Sequence, residues 1–167
     1  MNIRSVLIYP DIRLRSKAEP VTVVDDNIRR LIDDMFVTMY ELHGGGLAAT
    51  QINVQQRIVI VDPYSNKKDT YVLINPEIIE FSGEQKFEEG CLSLPGVSAV
   101  VTRSKHIKIK ALDYYGEEFT VQANGGYLSA CLQHEIDHLN GIVYVDHISV
   151  LKRAFLLKKM QKLNKLM

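Results

Sequence analysis

Two histidines four residues apart, with a glutamate beside the first, constrain this chain most: His134-Glu135-Ile136-Asp137-His138. In a helix, residues four apart lie one turn above each other on the same face. Their imidazoles can then close on one metal ion from one side. Glu135 lies next to that face, where it can take a proton from a water held at the ion. The neighbouring residues favour a helix. Tyr127, Leu128, Ala130, Cys131, Leu132, Ile136 and Leu139 are apolar, and Gly141 is placed to follow the C-terminus. The plainer alternative is a helix with two surface histidines and a solvated glutamate.

A catalytic metal takes three protein ligands and keeps one open position. The chain has two cysteines, Cys91 and Cys131. Cys131 shares the helix face but lies about 7–8 Å back along the axis from an ion held between the histidines. Its short side chain cannot span that, so it reads as a small apolar wall residue. Cys91 sits in Glu88-Glu89-Gly90-Cys91-Leu92-Ser93-Leu94-Pro95-Gly96, a turn-rich loop able to bring a thiolate from a second direction. A structural cysteine in a loop is the alternative there. The long metalloprotease motif H-E-x-x-H-x-x-G-x-x-H is not completed, because Tyr144 stands at its last position. No glutamate follows Glu135 to serve the other protease pattern, and Asp146 and His147 lie at neither spacing.

At 167 residues the chain is long enough for one domain with a sizeable core. Its net charge is zero, so no global field draws DNA. No apolar run is long enough to span a membrane, and no signal-peptide pattern opens the chain. Two cysteines in unlike surroundings make no disulfide framework. These features suggest a cytoplasmic protein in a reducing compartment.

The first 24 residues read as extended and turn-rich, with Pro10 and Pro20. A helix is predicted from Asp25-Asp26-Asn27. Ile28, Leu31, Ile32, Met35, Phe36, Met39 and Leu42 recur at helical spacing, while Arg29, Arg30, Asp33 and Asp34 face away. Gly44-Gly45-Gly46 ends it, and Leu47-Ala48-Ala49-Thr50-Gln51 follows. No Lys-Ser/Thr pair makes this a phosphate loop. Small residues instead let backbone approach a bound group closely, and Gln51 could donate into such a site. Strands are predicted at Arg57–Val61 and Tyr71–Ile74, broken by Asp62-Pro63 and Asn75-Pro76, with shorter ones at 78–81 and 97–101. Residues 106–112 alternate, and a turn over 113–118 returns through Phe119 and Val121. His43, His106 and His147 read as surface or loop residues. Strands followed by the motif helix suggest an α+β fold with antiparallel sheets.

Residues 150–167 hold six basic residues, Lys152, Arg153, Lys158, Lys159, Lys162 and Lys165, and no acidic one. Residues 1–149 hold fourteen basic against twenty acidic. Helical projection puts Leu156, Leu157, Met160, Leu163 and Met167 on one side and the lysines on the other. This is either a docked terminal helix with a solvated basic face or a contact to RNA or an acidic surface.

Three stretches now stand in order: Gly44-Gly45-Gly46-Leu47-Ala48-Ala49-Thr50-Gln51, Glu89-Gly90-Cys91-Leu92-Ser93 and Gln133-His134-Glu135-Ile136-Asp137-His138-Leu139. They resemble the three signature motifs of bacterial peptide deformylases, and the likeness runs over nearly the whole chain. Two positions depart: Gly45 is often larger in relatives, and Tyr127 usually aliphatic. The resemblance implies a single catalytic domain over 1–167, with antiparallel sheets packed around a central HExxH helix, an N-terminal helix and a basic C-terminal helix at 150–167. It implies that Cys91, His134 and His138 hold Fe²⁺, with Zn²⁺, Ni²⁺ or Co²⁺ able to substitute. Glu135 would be the general acid/base, with Gln51 and the Leu92 N–H facing the formyl oxygen. Gly44, Gly45, Gly46, Glu89 and Gly90 would border the substrate. Tyr127, Ala130 and Cys131, on the His134 face, are candidates for one wall of the methionine pocket. The implied reaction removes formate from N-formyl-methionine of nascent peptides, with the basic tail docking on the ribosome. Competing readings are a metallopeptidase and a non-catalytic metal-binding or ribosome-associated module.

Overall fold

The computed structural model describes residues 1–165. Met167, assigned above to the apolar side of the last helix, lies outside them. The first helix, α1 (Asp26–Glu41), starts where the sequence predicts, with the Asp25 carboxylate accepting from the Ile28 N–H at 3.0 Å. Its apolar stripe buries Ile32, Met35 and Met39 completely. Each such side chain contributes about 1.5–3 kcal/mol by leaving water. Two expectations fail on this helix. Leu42, read onto its apolar stripe, lies just past its end and is exposed. Asp34 does not face solvent but is buried under the N-terminal segment. It accepts from the Asn2 N–H at 2.7 Å and from the Arg4 guanidinium at 2.9 and 2.8 Å. The covering segment comes from 30 residues earlier, out of reach of any helical periodicity.

Seven strands follow: β1 (Gly46–Ala48), β2 (Ile58–Val61), β3 (Tyr71–Ser82), β4 (Gln85–Cys91), β5 (Leu94–Arg103), β6 (His106–Leu112) and β7 (Glu118–Asn124). All pairings among these strands are antiparallel. They form one sheet in the order β1-β2-β3-β6-β7 and a separate β4-β5 ribbon. The glycine run therefore does more than end α1, because Gly46 opens a strand. β3 also runs straight through Asn75-Pro76. There Asn75 adopts a left-handed φ of 52°, and the register shifts between Ile74 and Glu77. Asn75 exchanges two hydrogen bonds with Val21, at 2.8 and 2.9 Å, which hold the bulge in place. The stretch leading to Cys91 is strand β4 rather than loop, and β5 is longer than residues 97–101.

The motif helix, α2 (Gly126–Leu139), packs Cys131, Leu132, Ile136 and Leu139 against Val59, Val61, Leu73, Ile109 and Val121 of the five-stranded sheet. Its C-terminal carbonyls are claimed from elsewhere: the Leu139 oxygen accepts from the Ala18 N–H at 2.9 Å and from Arg57 at 3.1 Å. Gly141 follows at φ 73°, pressed against the Arg15 backbone where no side chain fits. The last helix, α3 (Val150–Lys165), packs Leu156, Leu157, Met160 and Leu163 against Leu94, Val97, Val101 and Tyr144. Val150, Leu151 and Phe155 on it stay exposed. Among the described residues, no helix is long and apolar enough to cross a membrane.

Candidate active site

The end of β4 meets α2 where the sequence places the metal ligands. One donor atom each from Cys91, His134 and His138 lie within 4.8 Å of one another. Cys91 Sγ is 3.3 Å from His138 Nε2, and the two imidazole rings stand 5.0 Å apart at 68°. His134 Nδ1 lies 2.9 Å from Glu89 Oε1. A carboxylate accepts, so Nδ1 carries the hydrogen and the Nε2 lone pair is free. On its other side the ring stacks on buried Tyr144, 5.9 Å away.

This donor set fits a divalent cation. Burial holds the proton affinity of His138 well below the usual value, so its nitrogen stays neutral. Burial acts the same way on His134, but Cys91 and Glu89 outweigh it and raise its proton affinity. Neighbours that draw a proton there also draw a cation. His138 Nδ1 is buried with no hydrogen-bond partner among the described residues. Two imidazoles and a thiolate suit Fe²⁺ or Zn²⁺.

Glu135 lies beside the ligands, its Oε1 4.0 Å from His134 Nε2 and its Oε2 buried without a partner among the described residues. Burial pushes its pKa up to about 7. Gly46 makes room for it: a Cβ on Gly46 would stand 2.7 Å from Glu135 Oε1. Gly44 lies equally close to Leu92, whose Cδ1 would be 2.7 Å from a Cβ there. Gln51 is oriented from both ends. Its carbonyl accepts from the Ala48 N–H at 2.9 Å. Its amide nitrogen donates to Ser93 Oγ at 3.1 Å and lies 3.5 Å from Cys91 Sγ. Leu92 occupies the tight turn between β4 and β5.

A cavity of about 520 Å³ opens at these groups. Gly44, Gly45, Gly46, Gln51, Glu89, Gly90 and Leu92 border it on one side. Tyr127, Ala130 and Cys131 border it from α2 with His134 and Glu135. Every site residue expected from the sequence lines this cavity except buried His138. Cys131 is no ligand. Its Sγ points to the Gly45 carbonyl at 3.6 Å, and burial raises its thiol pKa.

Sequence reasoning missed the groups behind the ligands. Arg103 is buried and donates twice to Glu89, both at 2.8 Å, and once to Asp137 at 2.6 Å. His147, expected as a plain surface residue, lies 2.8 Å from Asp137. Burial alone would raise the Glu89 pKa, but the Arg103 and His134 hydrogen bonds hold it at about 2. A chain of hydrogen bonds and ion pairs thus runs from His134 through Glu89, Arg103 and Asp137 out to His147. Asp146 is also engaged elsewhere, pairing with Arg15 at 2.5 Å. His43, expected in a loop, is exposed and borders the cavity mouth with Leu42.

The sequence model of the family Polypeptide deformylase matches residues 3–154. The chain belongs to this family. A peptide deformylase of Cellvibrio japonicus (strain Ueda107) is 50% identical over 166 residues, covering 99% of this chain and 98% of that protein. The crystal structure of a Legionella pneumophila peptide deformylase superposes with a TM-score of 0.94 at 47% identity, covering 98% of this chain and 96% of that one. The Ehrlichia chaffeensis peptide deformylase in complex with actinonin gives 0.91 at 41% identity, covering 97% and 98%. As a deformylase the chain is a metallohydrolase, and it removes the formyl group from the N-terminus of nascent polypeptides.

Proposed function

We propose that Cys91, His134 and His138 hold Fe²⁺, that Glu135 moves the proton, and that Gln51 and the Leu92 N–H receive the formyl oxygen of N-formyl-methionyl peptides. The convergence of three donor atoms within 4.8 Å, beside a buried carboxylate, supports this reading. A bound divalent ion supplies a Lewis acid for the formyl group and makes water a competent nucleophile near neutral pH; Zn²⁺, Ni²⁺ or Co²⁺ fit the same donors.

Glu135, with a pKa near 7, accepts a proton on the attacking water's approach and delivers it to the departing amine nitrogen. The formyl C–N bond breaks and formate leaves. As the formyl oxygen gains negative charge, Gln51 donates to it from an amide already oriented by Ala48 and Ser93. Losing one such donor typically costs about 3–4 kcal/mol in the transition state. The bare backbone at Gly44–Gly46 admits the formyl hydrogen and crowds larger acyl groups. Glu89 and Gly90 border the peptide, and Tyr127, Ala130 and Cys131 wall the methionine side chain.

The test is formate release by metal-loaded protein from formyl-Met-Ala-Ser beside its unformylated counterpart. Release from the first alone is expected, and Glu135→Ala should keep its metal and lose turnover. A wild-type rate in that variant would remove Glu135 from its role.

The enzyme works in the cytoplasm, with the basic α3 docking near the ribosomal exit. Exposed Lys152, Lys158, Lys159, Lys162 and Lys165 support this. Replacing these lysines by glutamine, rather than deleting α3, keeps the buried Met160 in place. The replacement should weaken ribosome binding and flatten its salt dependence. Unchanged, salt-insensitive binding would exclude the docking role.

A further inference from the structure

The three glycines of the Gly44-Gly45-Gly46 run are small for different reasons. Cβ atoms on Gly44 and Gly46 would strike Leu92 and Glu135, both parts of the reaction site. Gly45 faces neither. The atom nearest a Cβ on it would be the Tyr127 hydroxyl oxygen at 3.0 Å, followed by Tyr127 Cε1 at 3.6 Å. Its φ is not in the left-handed region, so backbone conformation does not demand glycine. Nor can the backbone move away. The Gly45 carbonyl accepts from the Asp62 N–H at 2.9 Å, and Cys131 Sγ backs it at 3.6 Å. Tyr127 enters from the opposite wall, on the first turn of α2. Its ring is braced by Phe87 of β4, with centroids 6.3 Å apart. It is 38% exposed, so it stands at the rim of the cavity.

We propose that Gly45 and Tyr127 form one specificity element: the phenol fills from α2 the space that a side chain at 45 would fill from the facing wall, and so sets how wide a side chain of the formylated residue the pocket takes. This rests on the reading of the cavity as the methionine pocket. The arrangement makes the two positions interdependent. A branched side chain at 45 collides with the phenol, and a shorter residue at 127 leaves the bare glycine backbone facing a void. Exchanging both together moves the wall from helix to loop and keeps the pocket closed.

The experiment is a double-mutant cycle on the metal-loaded protein, with formate release measured from formyl-Met-Ala-Ser and formyl-Phe-Ala-Ser. Gly45→Ile should lower kcat/KM for the methionine peptide about tenfold, chiefly through KM, the scale of a small misfit in an apolar pocket. Tyr127→Leu should narrow the preference for methionine over phenylalanine about tenfold. Gly45→Ile/Tyr127→Leu should recover most of both losses. Metal content and thermal midpoint show that each variant is folded. If Gly45→Ile does not fold, Gly45→Ala paired with Tyr127→Phe repeats the cycle, because the hydroxyl is the nearest atom. Independent effects that simply multiply, or an unaltered preference in Tyr127→Leu, would overturn the pairing. Wild-type protein that holds metal but releases formate from neither peptide would instead overturn the reading of the site.

Discussion

Gly46 and Glu135 show how closely the reacting groups are built. A carboxylate buried to a pKa of about 7 must keep its place relative to the ligands, and only hydrogen on the Gly46 α-carbon leaves it room. Gly46→Ala should therefore displace the carboxylate while retaining the metal. A misplacement near 1 Å costs on the order of a hundredfold in rate. Formate release measured beside metal analysis checks this, and a wild-type rate would show that the carboxylate relaxes without loss. His134, Glu135, His138 and Cys91 were legible in the sequence, because helical spacing and ligand chemistry are local properties. Arg103, Asp137 and Tyr144 were not. Nothing in their own neighbourhoods shows that Arg103 pairs with Glu89 and Asp137, or that Tyr144 stacks on His134, since these contacts exist only once β5 and α2 are packed.

Among the elements, α1, the β6-β7 hairpin and α2 were legible, since a single period of 3.6 or 2 dominates each, and β2 was legible as a β-branched run stopped by Asp62-Pro63. β3 and β4 were not. Asn75-Pro76 is a breaker by local rule, yet Val21 satisfies Asn75 from outside and the strand continues. β4 carries charged Lys86, Glu88 and Glu89 and reads as loop, but Arg103 neutralises the buried Glu89. The N-terminal segment is a third case, because Asp34 holds it to α1. The Asn2 N–H bond, opposed by burial and aided by Arg4, sets the Asp34 pKa below its usual value. A lowered folded pKa means that the tie contributes fully above the unfolded value of about 4 and is lost as pH falls through the folded one. The protection of the Arg4 amide relative to its intrinsic exchange rate, with its N–H donating to Thr38 at 2.8 Å, should fall across that window, and Asp34→Asn should blunt the change. Protection at Arg4 that stays constant from about pH 6 to about pH 3 would contradict this.

At the scale of the molecule, the proposed ligand set of Cys91, His134 and His138 joins the β4-β5 ribbon to the helix packed on the main sheet. An ion there binds only the folded chain, so stripping it with a chelator should lower the thermal midpoint. At a hundredfold excess over Kd the linkage is about 2.7 kcal/mol. For a chain of this size that corresponds to a shift of about 5–10 °C, which added Zn²⁺ should reverse. Equal midpoints with and without ion would mean that the ligands tie nothing together. The charges behind the ligands have a different consequence. Glu89 comes from β4, Arg103 from β5, His134 and Asp137 from α2, and His147 from the turn after it. Breaking a buried pair by removing one partner typically costs about 3–5 kcal/mol, because a charge is left stranded away from water. A half-docked ribbon would leave several of these groups without partners at once, which disfavours partly assembled arrangements of the centre. The same contacts couple these five positions: a replacement at one should cost less when made together with a compensating replacement at its partner than when made alone.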